Sequence, residues 1–400
     1  MPFYLLPLIL LLAGSLGAAD LSRLLDNYQH QSPRFQETEL ESRLMEQEGR
    51  MDNSLSSPAL EMEQGSLSIP GGESESISRV GLNLAVRMPH LIGSASRAQT
   101  ANKKRTLAFS RTKHRDTMLR IAGSYHRACL AEQRLAYQND ILKQEESIHK
   151  KISRGIKAGA YAEYERLLAD MELAKQTMAQ RKTQDDLLRA KAELKNILLT
   201  DIDLTELHCR DLAPVVLPEI PGDGSDPALL LLEEEQHYRQ ELGDLSGGFS
   251  YFELGAGQEK EGEEARTTVA LSIPLGFFGS ASQEKELARL KVLRASKNLL
   301  RYRTERKLYL HTLDERLKLS ADALVNFATT LIPAAKAYAD TVARRYELGA
   351  GTLQELYRAR GEAARVILEE LETRREFYDL LFERYRYTVD IDYLPFRSQP

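Results

Sequence analysis

The sequence predicts a mainly helical fold with a small β part, built as an internal two-fold repeat. Three observations carry this. Long stretches hold apolar residues at a 3–4 spacing, the period of helices packed along a seam. Two shorter stretches switch to period 2, the mark of strands with one apolar face. The tetrapeptide GSAS occurs at 93–96 and again at 279–282, each time where a period-2 stretch gives way to a helical one.

Residues 20–48 form a polar amphipathic pattern with Leu21, Leu24, Leu25 and Tyr28 on one face, and Pro33 should break or bend the helix. Leu60 and Met62 then alternate with Glu61 and Glu63. After the Pro70-Gly71-Gly72 loop, Val80, Leu82, Leu84, Val86 and Met88 alternate with Arg79, Gly81, Asn83, Ala85 and Arg87. A helix of some sixty residues, roughly 90 Å, follows without a proline. Its seam runs through Met118, Ile121, Tyr125, Ala128, Leu135 and Leu142. A turn at Ala158–Tyr161 leads to a return helix carrying Tyr164, Leu168, Met171, Met178, Leu188, Leu194 and Leu198.

Prolines 214, 218, 221 and 227 mark an irregular connection, and 228–242 is a short helix. The pattern then restarts. Residues 249–254 are strand-like and GAGQEKEGEE (255–264) is a polar loop. Val269, Leu271 and Ile273 alternate with Thr268, Ala270 and Ser272. A long helix runs to Leu348 with a kink at Pro333. The turn Tyr346–Leu356 follows, and a last helix carries Leu353, Leu356, Ala363, Ile367, Leu371, Tyr378, Leu381 and Tyr385. The repeat therefore divides the chain into a first unit at 20–200, with strands about 58–69 and 78–88 and helices about 94–155 and 160–200. A connection spans 201–244. The second unit spans 245–390, with strands about 246–254 and 266–274 and helices about 280–348 and 352–388, before a tail at 391–400.

The turn YELGAGTLQEL is the most informative stretch. Gly349 and Gly351 supply the permissive backbone of a helix stop, Thr352 is an N-cap, and Glu355 completes a capping box. Gly159 and Glu165 stand in a weaker copy 190 residues earlier, aligned with Gly349 and Glu355.

Bulk composition excludes several classes. With 54 Lys+Arg against 59 Asp+Glu the chain has no basic excess to suggest a nucleic-acid partner. No HExxH, P-loop, GxSxG or CxxC motif occurs, the eight histidines are scattered and the methionines do not cluster. No enzyme, cofactor or metal site is therefore expected. Residues 1–19 read as a signal peptide, with an apolar run from Leu5 to Leu12 and small residues after it, although MPFY carries no positive charge. In an exported chain Cys129 and Cys209 could pair. Cys129 also falls at a helical core spacing, which leaves the pairing open.

Two strand pairs make four strands, which cannot close a barrel, and open edges in lipid leave backbone groups unpaired. Two chains would supply eight strands with a filled interior, and three chains twelve strands and a lumen. Val80, Leu82, Leu84, Val86, Met88, Val269, Leu271 and Ile273 would then face lipid, with Arg79, Asn83 and Arg87 in the lumen. Phe277 and Phe278 would join an aromatic girdle.

Taken in this order, the strand–loop–strand with GSAS twice and the Y-x-x-G-x-G-T-x-x-E-L turn resemble the TolC family of outer-membrane efflux channels over nearly the whole chain. The short SPALEME opening at Ser57 is most similar to the branch serving heavy-metal efflux pumps. The resemblance implies a homotrimer in the outer membrane of a Gram-negative bacterium. Its twelve-stranded barrel would continue into a long α-helical coiled-coil barrel across the periplasm. It also implies a periplasmic adaptor partner at the helix tips and an inner-membrane pump beyond it. The family commonly places an acidic pair three residues apart after the turn. Glu355 matches the first acid, Arg358 stands at the second, Gly351 takes the place of a basic gate residue, and Tyr346 matches a tyrosine before the turn. Glu355 could thus ring a closed tip or simply cap its helix. An exit duct for type I protein secretion and a periplasmic coiled-coil scaffold remain as alternatives.

Overall fold

The computed structural model describes residues 20–55, 57–67, 75–200, 202–204, 207–209, 212, 215, 226–246, 251–261, 264–273, 280–390 and 392. The signal-peptide stretch, the Pro70 loop, Phe277 and Phe278 lie outside them.

Ser32 and Pro33 divide the first amphipathic stretch into α1 (Leu21–Gln31) and α2 (Pro33–Asp52). Pro33 takes the first helical position, where a missing N–H costs nothing. The Ser32 hydroxyl instead donates to the Leu198 carbonyl at 2.7 Å, tying the break to the far end of α4. Strands β1 (Ala59–Leu67) and β2 (Glu75–Arg87) follow, then α3 (Ile92–Lys157) and α4 (Glu163–Leu198). The 66 residues of α3 make a rod of roughly 100 Å. After the connection come α5 (Pro227–Leu245), β3 (Tyr251–Glu261), β4 (Glu264–Ser272) and α6 (Ser280–Asn326). The chain ends with α7 (Ile332–Glu347) and α8 (Leu353–Thr388). The kink expected at Pro333 is a π turn over Phe327–Leu331 between α6 and α7. Proline has no N–H and its ring crowds the carbonyl four residues back, so the helix widens just before it.

The four strands form one antiparallel sheet in the order β1-β2-β3-β4, so the two halves of the chain meet at the β2–β3 pair. Two sequence expectations are corrected here. Residues 255–261 belong to β3 and are not a loop, and residue 245, expected to open the second unit, still belongs to α5. Gly255, Gly257 and Glu259 alternate with Leu254, Ala256 and Gln258, and β3 is paired on both sides. That pairing satisfies its backbone and overrides the low strand propensity of Gly and charged residues. A Cβ at Gly255 would lie 2.7 Å from the Asn83 Oδ1, so the Asn83 side chain would have to shift to admit one.

The main core lies midway along the rods. Leu21, Leu24 and Tyr28 of α1 pack against Met118, Ile121 and Tyr125 of α3, Leu194 and Leu198 of α4, Leu313 and Leu317 of α6, and Phe377 and Leu381 of α8. The pairing that the sequence left open is made: Cys129 and Cys209 form a disulfide with Cα atoms 5.4 Å apart. It pins the connection to α3. Asp226, at the N-cap of α5, is fully buried among Arg115 (3.1 Å), Arg306 (3.3 Å) and Tyr302 (2.8 Å).

The seam of α4 divides in two. Leu194 and Leu198 are buried, whereas Tyr164, Met171, Met178 and Leu188 are 61–72% exposed. The latter stand on a face that no described residue covers.

Candidate functional site

The two interhelical turns share one backbone solution. Gly159 and Gly349 have φ of +73° and +72°, a left-handed conformation that a Cβ disfavours. At the first, Gly159 N–H donates to Ile156 O (2.9 Å) and Ala160 N–H to Gly155 O (2.8 Å). At the second, Gly349 N–H donates to Tyr346 O (3.0 Å) and Ala350 N–H to Arg345 O (2.9 Å). Both are Schellman stops. The chain then extends through Ala162 and Thr352 into the next helix. Glu165 accepts from the Ala162 N–H at 2.9 Å, and Glu355 accepts from the Thr352 N–H at 3.0 Å. Thr352 adds a reciprocal bond, its hydroxyl accepting from the Glu355 N–H at 3.2 Å. The Thr352 N–H donation holds the exposed Glu355 carboxyl below its usual pKa, with Arg345 nearby adding to the effect.

Packing brings the two turns to one end of the molecule. Ile148 and Ile152 of α3, Ala169 of α4, and Leu353 and Leu356 of α8 form a small buried core, with Tyr346 and Tyr357 against it. Burial first, and then the Tyr161 hydroxyl beside it, push the Tyr346 phenol well above its ordinary pKa. Gly351 leaves room at this point, since a Cβ there would lie 3.3 Å from the Tyr346 backbone nitrogen. Arg358 is exposed on α8. Sequence reasoning missed Tyr161 and Arg345. Arg345 donates to the Ala350 carbonyl at 3.3 Å and closes the second turn. The signal for Tyr161 was Gly155, where a Cβ would collide with the Tyr161 ring.

At the opposite end, the sheet has two chemically distinct faces. On one, directly opposed residues form apolar rows: Leu60–Leu82–Ala256–Val269, and Leu84–Leu254–Leu271. Val86 stands opposite Phe252 in the next row, and Met88 follows the end of β2. Leu82, Val269 and Leu271 are 51%, 79% and 61% exposed, and Ile273 just beyond β4 is 42% exposed. On the other face, small residues (Gly81–Gly257–Thr268) precede a row of alternating charge, Glu63–Arg79–Glu259–Arg266. Arg79, Asn83 and Arg87 share this polar face. The outer edges of β1 and β4 have no partner strand among the described residues.

No helix among the described residues is long and apolar enough to cross a membrane. No group of three or more His, Cys, Asp or Glu able to hold a metal occurs among them either.

The fold as a whole, a four-stranded sheet joined to long helical rods, has counterparts among solved structures. CusC, described for its folding and transmembrane channel formation, superposes with a TM-score of 0.78 over 92% of both chains at 13% identity. The chain has the fold of the outer-membrane channels. VceC, an outer membrane protein of Vibrio cholerae, gives 0.76 over 92% of this chain and 96% of its own at 11% identity. The MtrE outer membrane channel of Neisseria gonorrhoeae gives 0.73 over 92% and 88% at 16% identity. No protein-family model and no curated protein matches the sequence.

Proposed function

We propose that the chain is the outer-membrane channel of a tripartite efflux system, a passive exit duct for small molecules or metal ions. The observation that carries this is the four-stranded sheet with one exposed apolar face and two unpaired edges. Such a sheet is stable in lipid only when closed, because each unpaired backbone group in hydrocarbon costs several kcal/mol. Three copies sharing one twelve-stranded barrel close it and leave a lumen. Val80, Leu82, Leu84, Val86, Met88, Val269, Leu271 and Ile273 face lipid in that assembly, and the charged row lines the bore. The uncovered faces of α4 and α6, with Met171 and Met178 on one and Leu290 and Leu293 on the other, support packing against further copies.

The rods then form a tunnel through the periplasm, built from two copies of one unit per chain, with the paired turns at its inner mouth. There Glu355 rings the constriction while capping α8, and Tyr346 latches the closed tip. The first turn, with Gly159 and Glu165, alternates with it around the mouth, and Arg358 stands three residues beyond Glu355 on α8. A periplasmic adaptor docks on these tips and links them to an inner-membrane pump. The Cys129–Cys209 disulfide fits an oxidising periplasm.

Membrane fractionation, followed by electrophoresis before boiling, tests the proposal. It expects an outer-membrane, detergent-dependent trimer. A salt-extractable, elongated, soluble monomer would point instead to a coiled-coil scaffold.

A further inference from the structure

Some three helical turns above the paired tips, a cavity of about 160 Å³ opens between both helix pairs of the chain. Glu145 of α3 reaches into it with its side chain only 6% exposed, and Arg360 of α8 faces it with Nη1 3.7 Å from Oε1. That separation is too long for a hydrogen bond. The Glu145 Oε2 and the Arg360 Nη1 both lack a hydrogen-bond partner among the described residues. A buried carboxylate in this position is costly, because a single distant guanidinium replaces its hydration. Of the remaining groups around it, Lys175 favours the charged form and Glu172 opposes it. Asp140 stands on its own helix, Glu172 on α4 with Lys175 bound to it at 3.4 Å, Asp340 on α7, and Tyr357 on α8.

We infer that Glu145, opposed by Arg360, is a proton-operated catch that holds α8 against α3 while protonated and loosens that contact when it ionises. This rests on the channel reading, in which spreading the tips opens the inner mouth. Burial, the largest influence, raises the Glu145 pKa to about 7, Arg360 offsets part of that, and Glu172 adds to it. Spreading α7–α8 away from α3–α4 floods the cavity and returns the carboxyl to the ordinary range near ~4.3. The closed packing is therefore the state that binds the proton more tightly. Its advantage is complete below the ordinary carboxylate pKa and is lost as pH rises through about 7. Between pH 6 and 8 the closed-to-open ratio should fall roughly tenfold.

Planar-bilayer recording of the purified full-length protein at a series of pH values tests the catch. The wild type should open roughly tenfold more often at pH 8 than at pH 6. Glu145→Gln, which cannot ionise, should stay closed and flat across the series. Arg360→Gln should move the midpoint upward, because it removes the cation that favours the charged form. Matching pH profiles for the wild type and Glu145→Gln would overturn the catch, as would a flat wild-type profile. Infrared titration of the same preparation needs no conductance. A carboxylic-acid band that titrates near pH 7 and is missing in Glu145→Gln supports the catch, and one confined to the ordinary carboxylate range overturns it. If no channel forms at any pH, the channel reading fails, and with it the gating role of Glu145.

Discussion

The turns at Gly159 and Gly349 have nearly the same backbone and different attachments. Both stop a helix with left-handed glycine and start the next with a glutamate folded back on its cap. The first residues of the following helices then diverge. In α8, Leu353 and Leu356 are 2% exposed and bolt the turn to the shared tip core. The aligned residues of α4 are Glu163 and Arg166, an exposed ion pair. Ala162 also lacks the hydroxyl with which Thr352 completes its capping box. A common backbone thus serves one fixed turn and one held mainly by its own helices. The fixed turn is the one whose Tyr346 and Glu355 are proposed to close the tip.

The largest break in this comparison comes from the anchors. Leu356→Ala should cost about 2–5 kcal/mol, whereas Arg166→Ala at the aligned position should cost under about 1 kcal/mol, both measured by denaturant unfolding. Gly159→Ala and Gly349→Ala should each cost about 1–2 kcal/mol, and near-equal values would support the shared left-handed geometry. Thr352→Ala should cost about 1 kcal/mol while Ala162→Thr should gain some of that, seen as faster and slower amide exchange in the adjoining first turns. Smallest in stability are Glu355→Gln and Glu165→Gln. Neither should shift unfolding measurably, but Glu355→Gln should lower the cation preference of the reconstituted channel. An unchanged preference would leave Glu355 with its capping role alone.

The helices were legible because a 3–4 apolar spacing survives over tens of residues, and β2 because Val80 to Met88 alternates without a fault. Strand β3 was hidden because its polar-face positions are Gly255, Gly257 and Glu259, which alone read as a loop. Only pairing with β2 and β4 makes them a strand. The Cys129–Cys209 bond was undecidable, since helical spacing does not reveal that the connection returns alongside α3. Tyr164, Met171 and Met178, spaced seven apart, were legible as a seam, but the single chain leaves them exposed. At the tip the repeat of Gly and Glu marked both turns. The meeting of Tyr161 with Tyr346, and of Glu145 with Arg360, depends on side chains brought together from distant helices and leaves no local pattern.

The channel reading requires the open edges of β1 and β4 to be closed by other copies of the same chain. Electron cryo-microscopy of the detergent-extracted protein tests it most directly. A three-fold particle with one twelve-stranded barrel and an α-helical tunnel ending in six turns is expected. A monomer with its four-stranded sheet left open would contradict it.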